Sequence, residues 1–255
     1  MKILICGYGN IGKHTYNEFN NSKNEICLYD KYQADYSDES ILEQSYDATF
    51  VCVPTEMNAD GTANVSEVFS IVPKVSKISS VVIIKSAVPV GTCERLGLDN
   101  VVISPEFYGT TQHSLESPNF AVIGSNVNMA ATMAVQVFQT VKTGSFRFIF
   151  VDWKTAELSK YMENCWIATK VTFCNEFATI AESYGISYPQ LRECFVADER
   201  VSPSHTLVYM DKPYYDSHCL NKDIPALIKQ CDEVGVETPL MDSVLDIKTK
   251  RKEGE

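Results

Sequence analysis

Three groups of residues in this sequence are of types and spacings that could do chemistry. The first is Lys160 and Asn164, four apart in a stretch that is otherwise mostly apolar. On a helix they share one face and point the same way. A helix built only for packing would rarely bury such a pair, so it is a candidate site. The alternative is a solvated lysine beside a capping asparagine. The second is Cys219, in His218-Cys219-Leu220-Asn221-Lys222-Asp223. A nearby helix start and a lysine both favour the nucleophilic thiolate, although a cysteine taken alone is more often inert and buried. His218 is adjacent in sequence, and neighbours on a turn seldom face each other.

The third group is Gly7-Tyr8-Gly9-Asn10-Ile11-Gly12, directly after the apolar run Lys2–Cys6. The spacing is G-x-G-x-x-G, in which the first glycine permits a tight turn, the second lets a pyrophosphate approach, and the third allows close helix–strand packing. The helix that follows offers its free N–H groups to phosphates. A second apolar run, Glu25–Tyr29, ends at Asp30, 18 positions beyond Gly12. An acid there is placed to accept from a ribose hydroxyl pair. Together they predict a dinucleotide site of the NAD type, the alternative being a glycine-rich turn and a surface aspartate. Lys31 would soften the repulsion of a 2′-phosphate by Asp30.

The elements that must hold these groups read as strand–helix alternation. Further strands are expected at 48–53, 81–85, 101–104, 120–124 and 146–151, which gives an α/β fold with a doubly wound, mostly parallel sheet of Rossmann type. Ligands bind beyond the carboxyl ends of such strands. Val53-Pro54-Thr55, Lys85-Ser86-Ala87 and Ser104-Pro105-Glu106 should therefore line a crevice. Glu106 is the acid among them, by position as fit for a turn as for catalysis. A long helix is expected from Thr155 to Tyr184, with Asp152 as N-cap and Gly185 as the stop. Its apolar residues Leu158, Met162, Trp166, Val171, Phe173, Phe177, Ile180 and Tyr184 should be buried on more than one side, between domains or subunits. Beyond it come a helix opened by Ser187 and Pro189, a loop over 200–218, a helix from about Asp223 to Val234, and one from Pro239 fading into a charged tail. This divides the chain into a dinucleotide domain (1–151) and a helical, dimerising domain (152–255).

The 255 residues are 45% hydrophobic and 22% charged, as in ordinary soluble proteins. A formal charge of −11 argues against nucleic acid or an anionic membrane as a general partner. The N-terminus opens as a strand, with no signal peptide, and no apolar run approaches a membrane span. The nine cysteines show no paired or metal-type spacing, so a cytoplasmic location with reduced thiols and no metal is expected.

In this order the stretches GYGNIG, VCVPT, IIKSAVPVGT, VVISPEF, AELSKYMENCWIATKVTFCNEFATIAE and CLNKDIPAL resemble the nucleotide-sugar dehydrogenases, the UDP-glucose 6-dehydrogenase family. The resemblance implies oxidation of a sugar primary alcohol to a carboxylate with two NAD. Cys219 then matches the nucleophile that carries a thiohemiacetal and a thioester. Lys160 matches the group that stabilises oxyanion charge, and Asn164 and Asp223 those that orient substrate and water. Glu106 matches an acid near the reacting carbon. Phe107 and Tyr108 fall beside substrate, and Ser86, Ala87 and Lys222 beside the cofactor.

The departures are as specific. Ala87 stands where the family usually has threonine, and Thr110 where it has a second glutamate. Tyr214-Tyr215-Asp216-Ser217 replaces a glycine-rich loop, so bulky side chains are expected where a hexose would lie. Measured against the family, the sequence reads as a truncated, divergent member without the third, UDP-holding domain. Two rivals stand beside this reading. A β-hydroxyacid dehydrogenase would use the Lys-x-x-x-Asn pair without a cysteine, and a catalytically impaired NAD-binding or assembly protein would use neither.

Overall fold

The structure is a computed structural model and describes residues 1–107 and 118–254. Seven strands form one sheet: β1 (Lys2–Cys6), β2 (Glu25–Tyr29), β3 (Tyr46–Val51), β4 (Ser79–Ile84), β5 (Val101–Ile103), β6 (Phe120–Gly124) and β7 (Arg147–Val151). Their order is β2-β1-β3-β4-β5-β6-β7. All neighbours are parallel except β5 and β6, whose pairing is antiparallel. The chain order reverses between β1 and β3, the switch point at which an α/β sheet opens a crevice for a ligand. β3 and β4 each begin two residues before their expected starts, a boundary shift that apolar runs alone do not resolve.

Helices α1 (Asn10–Phe19), α2 (Ser66–Val75), α3 (Thr92–Leu96) and α4 (Asn128–Phe138) accompany the sheet. The central strands are apolar at successive positions because both faces are covered. Leu4, Cys6, Val82 and Ile84 enter one core, with Val68 and Val72 of α2. Ile3, Ile5, Val81 and Ile83 enter the other, with Phe19 of α1 and Phe138 of α4.

The long helix α5 runs from Trp153 to Ser183. Asp152 caps it as expected, accepting from the Thr155 amide at 2.9 Å and its hydroxyl at 2.6 Å. Gly185 follows with a φ of +68°, the left-handed stop. Its burial pattern differs from the sequence reading. The residues turned inward are the small and polar ones, among them Ala156, Glu157, Asn164, Cys165, Ala168, Thr172 and Asn175, with Tyr161. Leu158, Met162, Trp166, Phe173, Phe177, Ile180 and Tyr184 are exposed on this chain.

By internal contacts the chain divides into two units. The first contains the sheet and α5 as far as Lys160; the second begins at Tyr161 and includes Met57–Thr62. The second adds α6 (Tyr188–Val196), α7 (His218–Glu233) and α8 (Pro239–Glu253). Its core joins Cys165 and Ala168 to Tyr215, Leu220, Ile224, Ile228 and Val244. Two helices correct the sequence reading. α7 starts five residues before Asp223, because Ser217 accepts from the Leu220 amide as its cap. Pro225, which looks like a first-turn residue, lies inside it. α8 carries the charged tail on to Glu253, where Lys250 pairs with Asp246 one turn back. No helix among the described residues is long and apolar enough to cross a membrane.

Candidate active site

In the first unit the glycine motif is built as its spacing requires. Gly7 has a φ of +90°, and a Cβ there would lie 2.6 Å from the Cys52 carbonyl oxygen. A Cβ on Gly12 would lie 1.9 Å from the Gly7 carbonyl oxygen, so α1 seats directly on the turn. A Cβ on Gly9 would meet nothing within 4 Å. That opening, at the Gly9 N-cap of α1, is where a pyrophosphate needs to approach backbone. Asn10 and Ile11 supply the first turn of the helix.

Asp30 closes the same end of the crevice. Its Oδ2 accepts from the Tyr8 amide at 2.7 Å and Gln33 Nε2 at 2.8 Å, and its Oδ1 from the Tyr32 amide at 2.9 Å. An ionised carboxylate has about four acceptor positions, so one remains for a ribose hydroxyl. The Tyr8 ring packs edge-on against Tyr16 and Tyr36. Beyond β3, the Ser86 hydroxyl donates to the Val53 carbonyl at 2.6 Å, bracing the Val53-Pro54-Thr55 turn against the start of the Ser86-Ala87 loop. These features fit a dinucleotide: a phosphate opening, a ribose acceptor and fixed strand ends.

Glu106, beyond β5, is buried and faces Lys85 and His14. Its Oε2 lies 3.2 Å from Lys85 Nζ and 3.5 Å from His14 Nδ1. Burial alone would raise its carboxyl pKa, but Lys85 and His14 overrule it and hold the group far below the usual range. A cavity of about 20 Å³, lined by His14, Lys85, Glu106, Phe107, Phe138 and Lys142 among others, adjoins them and is large enough for one water. Sequence reasoning reached Glu106 and Lys85 as strand ends but not their pairing, and missed His14. The available signal was a titratable residue on the sheet-facing side of α1.

Glu157 was also missed. It is 1% exposed, and its carboxylate accepts from the amides of Gly91 at 2.6 Å and Cys93 at 2.8 Å. Burial raises its pKa against the pull of those two amides. Its contact pins the loop that follows Ala87 to α5. One turn later, Lys160 Nζ sits 5.1 Å from the centre of the Phe107 ring. Tyr108 and Thr110 lie outside the described residues.

In the second unit α5 and α7 meet through buried polar groups. Asn164 Nδ2 donates to Asp223 Oδ2 at 2.6 Å, and Lys222 Nζ pairs with Asp223 Oδ1 at 2.6 Å. Asn164 is 3% and Asp223 1% exposed. Cys219 is the second residue of α7, not a loop residue, and lies one turn before Asp223 on the same face. It is exposed, whereas burial pushes the thiols of Cys52 and Cys165 up to about 12. Tyr214 and Tyr215, expected to crowd a sugar, are both buried, and Tyr215 belongs to the helical core.

Residues 31–142 match the NAD binding domain of the UDP-glucose/GDP-mannose dehydrogenase family, and residues 154–250 match its central domain. The chain belongs to that family. Its first unit therefore carries the family's NAD-binding domain, and NAD is its cofactor. Among curated relatives, the UDP-glucose 6-dehydrogenase of Pseudomonas aeruginosa is 29% identical over 235 residues, covering 84% of this chain and 51% of the relative. That of Rickettsia prowazekii is 28% identical over 228 residues, with the same coverages. The chain thus spans about half the length of these relatives.

Among solved structures, a UDP-glucose dehydrogenase from Pyrobaculum islandicum aligns with a TM-score of 0.81 at 21% identity. It covers 98% of this chain and 68% of its own. A 3-hydroxyisobutyrate dehydrogenase of Mycobacterium tuberculosis aligns at 0.73 with 16% identity, covering 98% of this chain and 92% of its own. Both likenesses speak to the fold.

Proposed function

We propose that the protein oxidises the primary alcohol of a nucleotide-linked sugar to a carboxylate, with NAD as electron acceptor and Cys219 as covalent nucleophile. The observation that carries this reading is the α5–α7 contact. Asn164 and Asp223 are locked together at 2.6 Å, with exposed Cys219 one turn along α7. Bound NAD supplies a two-electron acceptor for each of two oxidations. The chain's own groups do the remainder. The Lys160 ammonium stabilises negative charge developing on the substrate oxygen. The Cys219 thiolate adds to the aldehyde carbon, whose oxygen takes up a proton to give a thiohemiacetal. Loss of a hydride from that carbon and a proton from its oxygen converts the adduct to a thioester. Water then cleaves the C–S bond, releasing the acid and restoring the thiol. Asn164 and Asp223 orient substrate and water, and Glu106 ties the end of β5 to the end of β4 and to α1 through Lys85 and His14.

The same reading includes a homodimer built on α5. Its support is the run of exposed apolar side chains from Leu158 to Tyr184, which a two-fold contact would cover by using one patch twice.

The test is to supply NAD with UDP-glucose and other sugar nucleotides and follow NADH and acid. Two NADH per carboxylate, with acid formation lost in Cys219→Ser, is expected. NADH formation from hydroxyacids, unaffected by Cys219→Ser, would establish instead the hydroxyacid reading, which needs only Lys160 and Asn164. Tight NAD binding with no turnover would favour the assembly protein.

A further inference from the structure

Lys31 follows Asp30 directly, at the end of β2 where sites for NADP place a cation near the 2′-phosphate. Its charge is committed elsewhere. Lys31 Nζ lies 2.7 and 2.8 Å from the two carboxylate oxygens of Glu67, on the first turn of α2. The Tyr32 hydroxyl donates to the same Glu67 Oε1 at 2.9 Å, and the ammonium stands 4.8 Å from the Tyr32 ring centre. Three groups from two segments thus close on one another. Meanwhile Asp30 keeps its own donors, the Tyr8 and Tyr32 amides and Gln33.

We propose that Glu67 is a determinant of cofactor choice, withholding the Lys31 ammonium from a 2′-phosphate so that Asp30 alone faces that position and NADP is refused. The proposal rests on the NAD assignment and deepens it. Repulsion by Asp30 would by itself be partly cancelled by an adjacent lysine. Glu67 removes that cancellation from a distance, without touching the ribose. Tyr32 contributes by orienting the Glu67 carboxylate and covering the ammonium.

The experiment is calorimetric titration of the full chain with NADH and NADPH, in wild type, Glu67→Gln, Lys31→Met and Lys31→Met/Glu67→Gln. Glu67→Gln frees the ammonium. An exposed ion pair of this kind holds its lysine only modestly, so NADPH affinity should rise roughly three- to fivefold with NADH unchanged. Lys31→Met alone should leave both affinities within about twofold, because that charge is already withheld. The double variant should show no gain. A Glu67→Gln protein with no gain in NADPH affinity overturns the proposal, whether NADPH binds weakly or undetectably. A gain that persists in the double variant, or a loss in Lys31→Met, does the same. Wild-type protein that binds neither cofactor refutes the NAD assignment itself, whereas NADH binding with an indifferent Glu67→Gln refutes only the role of Glu67.

Discussion

Replacing Asp223 by Asn should destabilise the helical unit by about 3 kcal/mol, the low end of the 3–5 kcal/mol for breaking a buried ion pair by removing one charge. The side chain is nearly isosteric, so volume is not at issue. In the native structure both oxygens accept, one from Asn164 Nδ2 and one from Lys222 Nζ, each at 2.6 Å. An amide has one acceptor and one donor, so in either orientation its NH2 confronts Asn164's NH2 or the ammonium. The low end applies because the Lys222 side chain keeps 12% exposure and can lean toward water. For a chain of 255 residues each kcal/mol moves the melting midpoint by about 2–4 °C, so a fall of roughly 6–12 °C is expected. Urea unfolding followed by far-ultraviolet circular dichroism gives the free energy directly. Lys222→Met/Asp223→Asn should recover most of the loss, since the amide can then accept from Asn164 with no ammonium opposite. A single variant within about 1 kcal/mol of wild type, or a double variant no better than the single, would refute the reasoning.

The Glu106 cluster should make stability fall in acid. Its native pKa lies below the ordinary 4.5, so the stabilisation is complete above that value and is lost as pH falls through it toward the native one. Urea midpoints from about pH 6 to about pH 3 should drop less steeply in Glu106→Gln; parallel curves would contradict the Glu106–Lys85 ion pair. Gly9→Ala should fold with stability within about 0.5 kcal/mol of wild type yet lose NAD binding on calorimetry. Gly12→Ala, whose Cβ would sit 1.9 Å from a backbone oxygen, should cost about 3 kcal/mol or more. Met162→Glu/Trp166→Glu should convert a dimer to monomer by light scattering, and an unchanged mass would show that α5 is not the interface.

The sheet and the phosphate turn were legible because each rests on local rules. Apolar runs mark β1 to β4, and three glycines at fixed spacing mark a turn whose sterics the structure reproduces. Asp152 and Gly185 were legible as helix ends for the same reason. The start of α7 was not, because Pro225 imitates a helix's first turn while the true cap, Ser217, lies among tyrosines. Which face of α5 turns into its own chain was not legible either. Large apolar residues suggested burial, yet the chain buries alanines, a glutamate and an asparagine, and leaves Met162 and Trp166 outside. Long-range pairs such as Glu106 with His14, or Asn164 with Asp223, leave no periodic trace in a sequence. Spacing on a helix singled out Asn164, whereas only the resemblance to a family carried Asp223 forward.

The reversal of direction between β5 and β6 has a consequence for Lys160. Because β6 and β7 run opposite to β5, the chain leaves β7 beside the amino end of β5, and α5 begins there. Its first contacts then climb β5 like marks on a ruler. Trp153 Nε1 bonds the Val101 carbonyl at 3.1 Å, and Ala156 packs at Gly124 beside Ile103. Glu157 takes the Gly91 and Cys93 amides, and Lys160 reaches Phe107 beyond the strand's carboxyl end. Seven residues of helix, about 10 Å, measure the distance from the amino end of β5 to beyond its carboxyl end. One residue inserted within that interval would turn the Lys160 side chain by about 100° and carry it off the carboxyl end of β5, although no side chain had been substituted.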